Sequence, residues 1–577
     1  MDFPILQELQ TSRSMTQVFG GYNHNTQISE GEFFDMRNMT SDYYPLAATR
    51  SPRGTYLQPE KASGLISKDS LCFVDGSEFV INEYRVDMGL SDEPKTMVSM
   101  GAYVIILPDK KYINTANLED YGDIEASVTV SEGVNLDLCR INGELYEDAV
   151  RSPTAPEEPD NMALWIDTSS TPNALKQFSA NSGMWVTIAT TYVKISAAGI
   201  GAGFEQHDGV EISGMPEDLD DFNGSFVIWE KDADYIVITG MLPESKTISE
   251  PVTISRSMPE MDFVIESGNR LWGCRYGVTA EKDVVNEIYA SKLGDFKNWS
   301  CFMGISTDSY TVSLGSDGQF TGAITHLGYP LFFKETCLHK VYGTMPSNYQ
   351  VQTTACRGVQ KGSGKSLAIV NEVLYYKAPL AVCAYDGSLP REISSALGEV
   401  YYTNAVGGGH GNKYFVSMSD PDGQYSLFAY DSAKGIWHKE DDTQVKEFCS
   451  SRNMMYYLDS AGTIKYFGGD DATPIQWMLE TGIIGVDSPD QKYLSKVTLR
   501  MSMDTGSTMQ VYAQYDSEQQ WHPVATITAK SLRSFTVPIR PRRCDHLRLK
   551  MEGTGAIKLF SIAKTIENGS DVCAKIT

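Results

Sequence analysis

Short apolar runs that turn back on themselves at a glycine, again and again along most of the chain, constrain its fold more than any other feature. The first is "LCFVDGSEFVI", Leu71 to Ile81, where Asp75-Gly76 supplies the positive φ values of a two-residue hairpin turn. "MVSMGAYVIILPDKKYIN" follows, with Gly101 ahead of a buried strand that Pro108 ends. After Gly268 come "NRLWGCRYG", "NEIYASKLGDFKNWSCF", "GQFTGAITHLGYPLFFKETCLHKVYG", "SLAIVNEVLYYK" with "AVCAYDG", "NKYFVSM" with "YSLFAYDSAKGIWHKE", and "MMYYLDSAGTIKYF". Successive units stand roughly 40 residues apart, the period of four-stranded propeller blades. A blade buries its faces only against its neighbours, so such units fold as a closed set. The expectation is an all-β protein built on a six- or seven-bladed β-propeller. Trp437, two residues past the turn glycine Gly435, is expected to pack between adjacent blades.

Two regions break the period. Residues 121–255 hold the Pro- and acid-rich "RSPTAPEEPD" and then apolar runs such as "MWVTIATTYVKIS" and "FVIWEKDADYIVITG". From Arg151 to Glu250 there are 16 acidic and five basic side chains. The segment is read as a small acidic β domain inserted in a loop between blades, with its two ends close together. Residues 490–577 alternate strictly, as in "KVTLRMSM" and "HLRLKME", and are read as a separate C-terminal β-sandwich. The remaining divisions are an N-terminal arm over 1–55, first blades over 56–120 and the other blades over 256–485. The arm is expected either to close the ring of blades, leaving no open sheet edge, or to reach a neighbouring subunit.

The stretch "GVQKGSGKS", Gly358 to Ser366, resembles a phosphate-binding loop only at its end. Such a loop needs a glycine five residues before Gly364, where Val359 stands, and a helix after it, where two short β-type runs stand. A polar turn into a hairpin is the better reading. The ten cysteines form no C-x-x-C pair and the eight histidines no metal-ligand spacing, so no metal and no cofactor are expected. The N-terminal "MDFPILQELQ" lacks a basic segment before an apolar run, and no stretch is apolar enough to cross a membrane. Reduced thiols, synthesis in the cytoplasm and no membrane insertion are therefore expected. Four N-x-[ST] triplets, at Asn38, Asn223, Asn298 and Asn568, are read as chance matches in that setting.

A net charge of −26 argues against a conventional nucleic-acid binder. One basic run stands out: "IRPRRCDHLRLK" gathers Arg540, Arg542, Arg543, Arg548 and Lys550. An interface that docks an acidic neighbour, such as another copy of the chain, fits it better than a grip on DNA phosphate. Propellers also house glycosidases, which need a paired carboxylate set. No acid stands in a recognisable motif, and "SAKGIW" lacks the aspartate and spacing of a sialidase Asp-box. With no catalytic residue to assign, the chain is expected not to be an enzyme.

The stretch "FGGYNHNTQISEGEFFDMRNMTSDYYPLAATRSPR", Phe19 to Arg53, together with "ESGNRLWGC", "NEIYASKLGDFKNW", "PLFFKE", "CRGVQKGSGKSLAIVNEVLYY" and "RRCDHLRLK", resembles β-propeller tail proteins of bacteriophages. The likeness is to the tail-hub stabilisation or nozzle proteins of short-tailed phages and their prophage relatives. It is weakest in the insertion. It implies a structural virion component, copies of itself in a ring around the DNA channel, phage connector or adaptor and tail fibre proteins as partners, and transient passage of phage DNA without specific binding. Its place would be the tail of the virion. A receptor-binding or fibre-adaptor propeller is the runner-up, and a propeller glycosidase the third reading.

Overall fold

The computed structural model describes residues 11–146, 148–279, 282–469, 473–485, 492–528, 531–537 and 542–568. Among them the backbone is β-strand and turn, with only four short 3-10 turns. The architecture is an all-β, propeller-type fold. Seven four-stranded antiparallel sheets follow one another along the chain, over residues 62–87, 96–123, 263–313, 322–355, 368–392, 403–441 and 445–467. The last of these draws its fourth strand from the arm.

Alternation along each strand explains why the runs read as continuously apolar. Side chains at successive positions point to opposite faces, and each face meets a different neighbouring sheet. Phe73 joins the core between the seventh and first sheets, whereas Cys72 and Val74 join the core between the first and second. Phe332 faces the third sheet, and Leu331 and Phe333 face Leu374 and Tyr376 of the fifth. Tyr375 turns the other way, towards Tyr414 and Val416 of the sixth, while Phe415 meets Met455 of the seventh. The core is thus a set of slabs that returns to its starting point. Trp437 is buried between the fifth and sixth sheets, and its indole N–H donates to the Ile393 carbonyl at 2.7 Å.

The turns carry a repeated device. Asp431 Oδ1 accepts the backbone N–H groups of Ala433 and Lys434 at 3.1 and 3.2 Å, and Asp459 Oδ1 accepts those of Ala461 and Thr463 at 3.0 and 2.9 Å. A short carboxylate at the end of an inner strand therefore shapes the reversal into the next.

The arm does not stand apart as residues 1–55. Arg53–Leu57 pairs antiparallel with Ile464–Phe467 and completes the seventh sheet. Arg53 lies almost wholly buried there. Its guanidinium meets Glu440 Oε2 at 2.6 Å and Asp441 Oδ2 at 2.8 Å, 4.9 Å from the Phe467 ring centroid. Arg50 adds a second contact to Asp441 at 3.2 Å. Upstream, Gly21–Tyr22 pairs with Trp437, and Glu32–Arg37 pairs with Gln476–Thr481.

Those two arm strands join the sixth sheet to the C-terminal region as one ten-stranded sheet. A second sheet of seven strands, including Thr11–Thr16, Met39–Thr40 and Ala47–Thr49 of the arm, packs against its C-terminal half. Leu499, Met501 and Leu559 meet Val511, Leu549 and Met551 in that core. The C-terminal layer therefore begins at Gln476–Thr481, not at 490, and it is not separate from the blades. The reason is that Phe19, Tyr22, Phe33, Met36 and Met39 have no core of their own and fill the space between the sixth sheet and the C-terminal strands.

The insertion leaves and re-enters on paired strands, with Ala126 opposite Arg256. Two of its sheets enclose Leu136, Val193, Ile195, Val210, Ile236 and Ile254. A third, small sheet spans residues 150–187. Buried Arg256 binds Asp208, whose other oxygen accepts Asn298 Nδ2 at 2.9 Å, and Asn298 Oδ1 accepts the Gly209 N–H at 2.8 Å. These bonds clamp the insertion to the third sheet.

Candidate functional site

The phosphate-loop-like stretch contributes Lys365 to the lining of two clefts, but by another route than its letters suggest. Gly358 lies against the Lys334 carbonyl so closely that a Cβ there would sit 1.8 Å from the oxygen, and one at Gly364 would sit 2.8 Å from the Thr321 carbonyl. The glycines therefore allow close packing between sheets. The hydroxyls are used inside the protein: Ser363 Oγ accepts the Ala405 N–H and Ser366 Oγ the Lys377 N–H, both at 3.0 Å. Tyr414 donates to the Ser366 carbonyl at 2.8 Å. Lys365 points outward, with Nζ 3.1 Å from Glu447 Oε2.

Glu447 stands on Val445–Ser451, the first strand of the seventh sheet, at a register shift that follows Val445. Burial pushes its carboxyl above the usual range, and the Lys365 ammonium partly offsets that. Two clefts of about 540 and 620 Å³ share Pro94, Lys365 and Glu447. Lys61, Asp92 and Lys446 line the first, and Lys110, Glu260, Asp262 and Arg275 the second. Arg275 holds Glu260 at 3.2 Å and Asp262 at 3.5 Å. With charges of both signs along its walls, this funnel suits a polar group of low net charge. A carboxyl raised by burial could also exchange a proton with such a group. Sequence reasoning missed Glu447. Its only signal is a charged pair, Lys446-Glu447, near the start of the strand Val445–Ser451.

The basic run is distributed differently from its appearance in the sequence. Arg540 lies outside the described residues. Arg542 is exposed, 3.1 Å from Glu518 Oε1 and 5.1 Å from the Tyr515 ring. Arg543 lies over the Tyr493 ring at 5.9 Å. Arg548 binds Glu480 and stacks 4.3 Å over Phe34, while Lys550 meets Glu552 at 3.2 Å and lies 4.9 Å over the Tyr512 ring. Arg548 and Lys550 share one face of the strand Leu547–Thr554. Each of these four side chains meets an acid or a ring of its own chain. Among the described residues no group of three or more His, Cys, Asp or Glu is arranged to hold a metal ion.

No family model and no curated protein matches the chain. Solved structures do. An exo-β-1,3-galactanase from Phanerochaete chrysosporium matches at 10% identity and a TM-score of 0.21, covering 52% of this chain and 94% of that one. A glycoside hydrolase family 43 arabinoxylan arabinofuranohydrolase from Bacillus subtilis matches at 8% identity and a TM-score of 0.17, with the same two coverages. The matched proteins are glycoside hydrolases, which runs against the expectation that the chain is not an enzyme and corrects it. Likeness at this level transfers neither a site nor a substrate.

Proposed function

We propose that this chain is a structural component of a phage tail, a seven-bladed propeller that assembles in a ring and extends or stabilises the DNA-ejection conduit as a hub or nozzle. The observation that carries the reading is the continuity of the chain's parts. One ten-stranded sheet and one core unite the sixth blade, the arm and the C-terminal sandwich. A buried ion-pair cluster fixes the insertion. Parts that share a sheet, a core and buried ion pairs suit a load-bearing ring. The sequence resemblance points the same way. Heterologous contacts between identical blocks close into rings.

In this reading the partners are copies of the chain, the connector or adaptor and tail fibre proteins, and the protein is made in the host cytoplasm before joining the virion tail. DNA passes without specific binding. With 74 acidic and 48 basic side chains the surface repels phosphate, over about 8 Å at physiological salt. A receptor-binding or fibre-adaptor role is favoured by one feature of the insertion's small sheet. Trp185 packs 5.4 Å from both Trp165 and Phe178, beside exposed Met184 and Val186.

Light scattering of the purified chain, alone and with its connector ring, tests the conduit reading. A multi-copy mass on the connector is expected, and a monomer in both samples would overturn it. Glycan capture that is lost in Trp185→Ala, without ring formation, would move the receptor reading to first place.

A further inference from the structure

Among the described residues, the strands Thr11–Thr16 and Arg533–Val537 of the seven-stranded C-terminal sheet each pair on one side only. On one side Thr11–Thr16 pairs with the strand 557–568, and on the other Arg533–Val537 pairs with Lys492–Met503. Among the described residues, no strand pairs with the outer edge of either. The N-terminal strand is exposed on both faces from Ser12 to Met15. An exposed edge without proline or bulge is a template for another strand.

The two edges are matched. Met15 lies opposite Ala563, Ala563 opposite Thr498, and Thr498 opposite Thr536. Ser14 and Val537 are related in the same way through Lys564 and Val497. Ser14 to Thr16 therefore stands level with Phe535 to Val537 across the sheet. Every pairing between them is antiparallel, so Arg533–Val537 runs opposite to Thr11–Thr16. A neighbour in the same orientation would then present its N-terminal strand antiparallel to Arg533–Val537, and the sheet would continue without reversal. Apolar side chains flank both edges: Met15, Val18, Tyr43 and Tyr44 are exposed on the first, and Leu532 precedes the second. The Phe19 N–H donates to the Pro45 carbonyl at 3.0 Å and holds Val18 beside the tyrosines.

We infer that copies of this chain join head to tail by sheet extension, the strand Thr11–Thr16 of one copy pairing with Arg533–Val537 of the next. The inference rests on the ring reading above and names its interface. A contact between two different edges is heterologous and closes into a ring when its rotation permits.

The double variant Met15→Cys, Thr536→Cys tests it. Both side chains are exposed, and within one chain three strand spacings separate them, about 14 Å. A disulfide needs Cα atoms within about 7 Å, so a bond between these positions forms only between copies. After mild oxidation of the assembled protein, the double variant should give covalent multimers beyond the dimer on a non-reducing gel, and the wild type and each single variant should not. A multi-copy mass by light scattering without that ladder would overturn this interface and leave the ring reading standing. Dimers from Met15→Cys alone would replace it with a two-fold contact. A monomer with and without the connector would sink both readings.

Discussion

Two groups of arginines meet carboxylates in this protein, and they differ in almost everything except the pairing. Arg53, in the arm, is buried against Glu440 and Asp441 and joins segments 387 residues apart. Arg542, in the basic C-terminal run, meets Glu518 with its side chain about half exposed. The first pair holds the ring of sheets shut, whereas the second decorates a surface. Charge density in the sequence pointed to the second, because a run of arginines is visible and two arginines in "ATRSPRG" are not. Burial decides which matters, since a desolvated pair left with one member is costly and an exposed pair is screened.

The largest expected effect follows from breaking the buried side. Arg53→Ala should cost about 3–5 kcal/mol by leaving buried Glu440 and Asp441 with Arg50 as their one cation. Urea unfolding that moved by less than about 1 kcal/mol would show that strand pairing alone closes the ring.

Acid should weaken the same cluster. Burial alone would raise the Asp441 carboxyl, but Arg53 and Arg50 overcome that and hold it below its ordinary value of 3.8. Its folded pKa is therefore the lower one, so its contribution is present above the unfolded value and fades as pH falls through the folded one. Between pH 5 and pH 3 the wild type should lose stability more steeply than Asp441→Asn, with urea midpoints at several pH values as the measurement. Parallel curves would remove Asp441 from the account.

Arg548 lies between the extremes, with its side chain 19% exposed, bound to Glu480 and stacked on Phe34. Arg548→Ala should cost about 1–3 kcal/mol, because a partly buried charge loses its partner. Arg542→Ala should change stability by no more than about 0.5 kcal/mol. If it instead abolished self-association, the basic run would regain the inter-copy role first read from the sequence.

How much of this was legible depends on distance along the chain. Hairpins such as Leu71 to Ile81 declare themselves because turn residue and flanking strands are neighbours, and their unbroken apolar runs follow from burial on both faces. Trp437 could be placed for the same reason. The arm could not be resolved, since Tyr22 finds Trp437 and Thr49 Oγ accepts the Ile557 N–H across most of the molecule. Glu447 was invisible for a different reason. Its environment comes from Lys365 on another sheet and from a register shift that no local pattern announces.

The closing strand has a consequence for how the chain is made. Leu57 pairs with Ile464, so a segment that leaves the ribosome among the first must wait for a partner synthesised about 400 residues later. At about 5–20 residues per second that wait lasts about 20–80 s. Six sheets can form in order during this interval, but the ring cannot shut. The nascent protein therefore spends most of its synthesis as an open crescent, with Arg53 still in water and the faces of its first and sixth sheets available to chaperones or to other nascent chains.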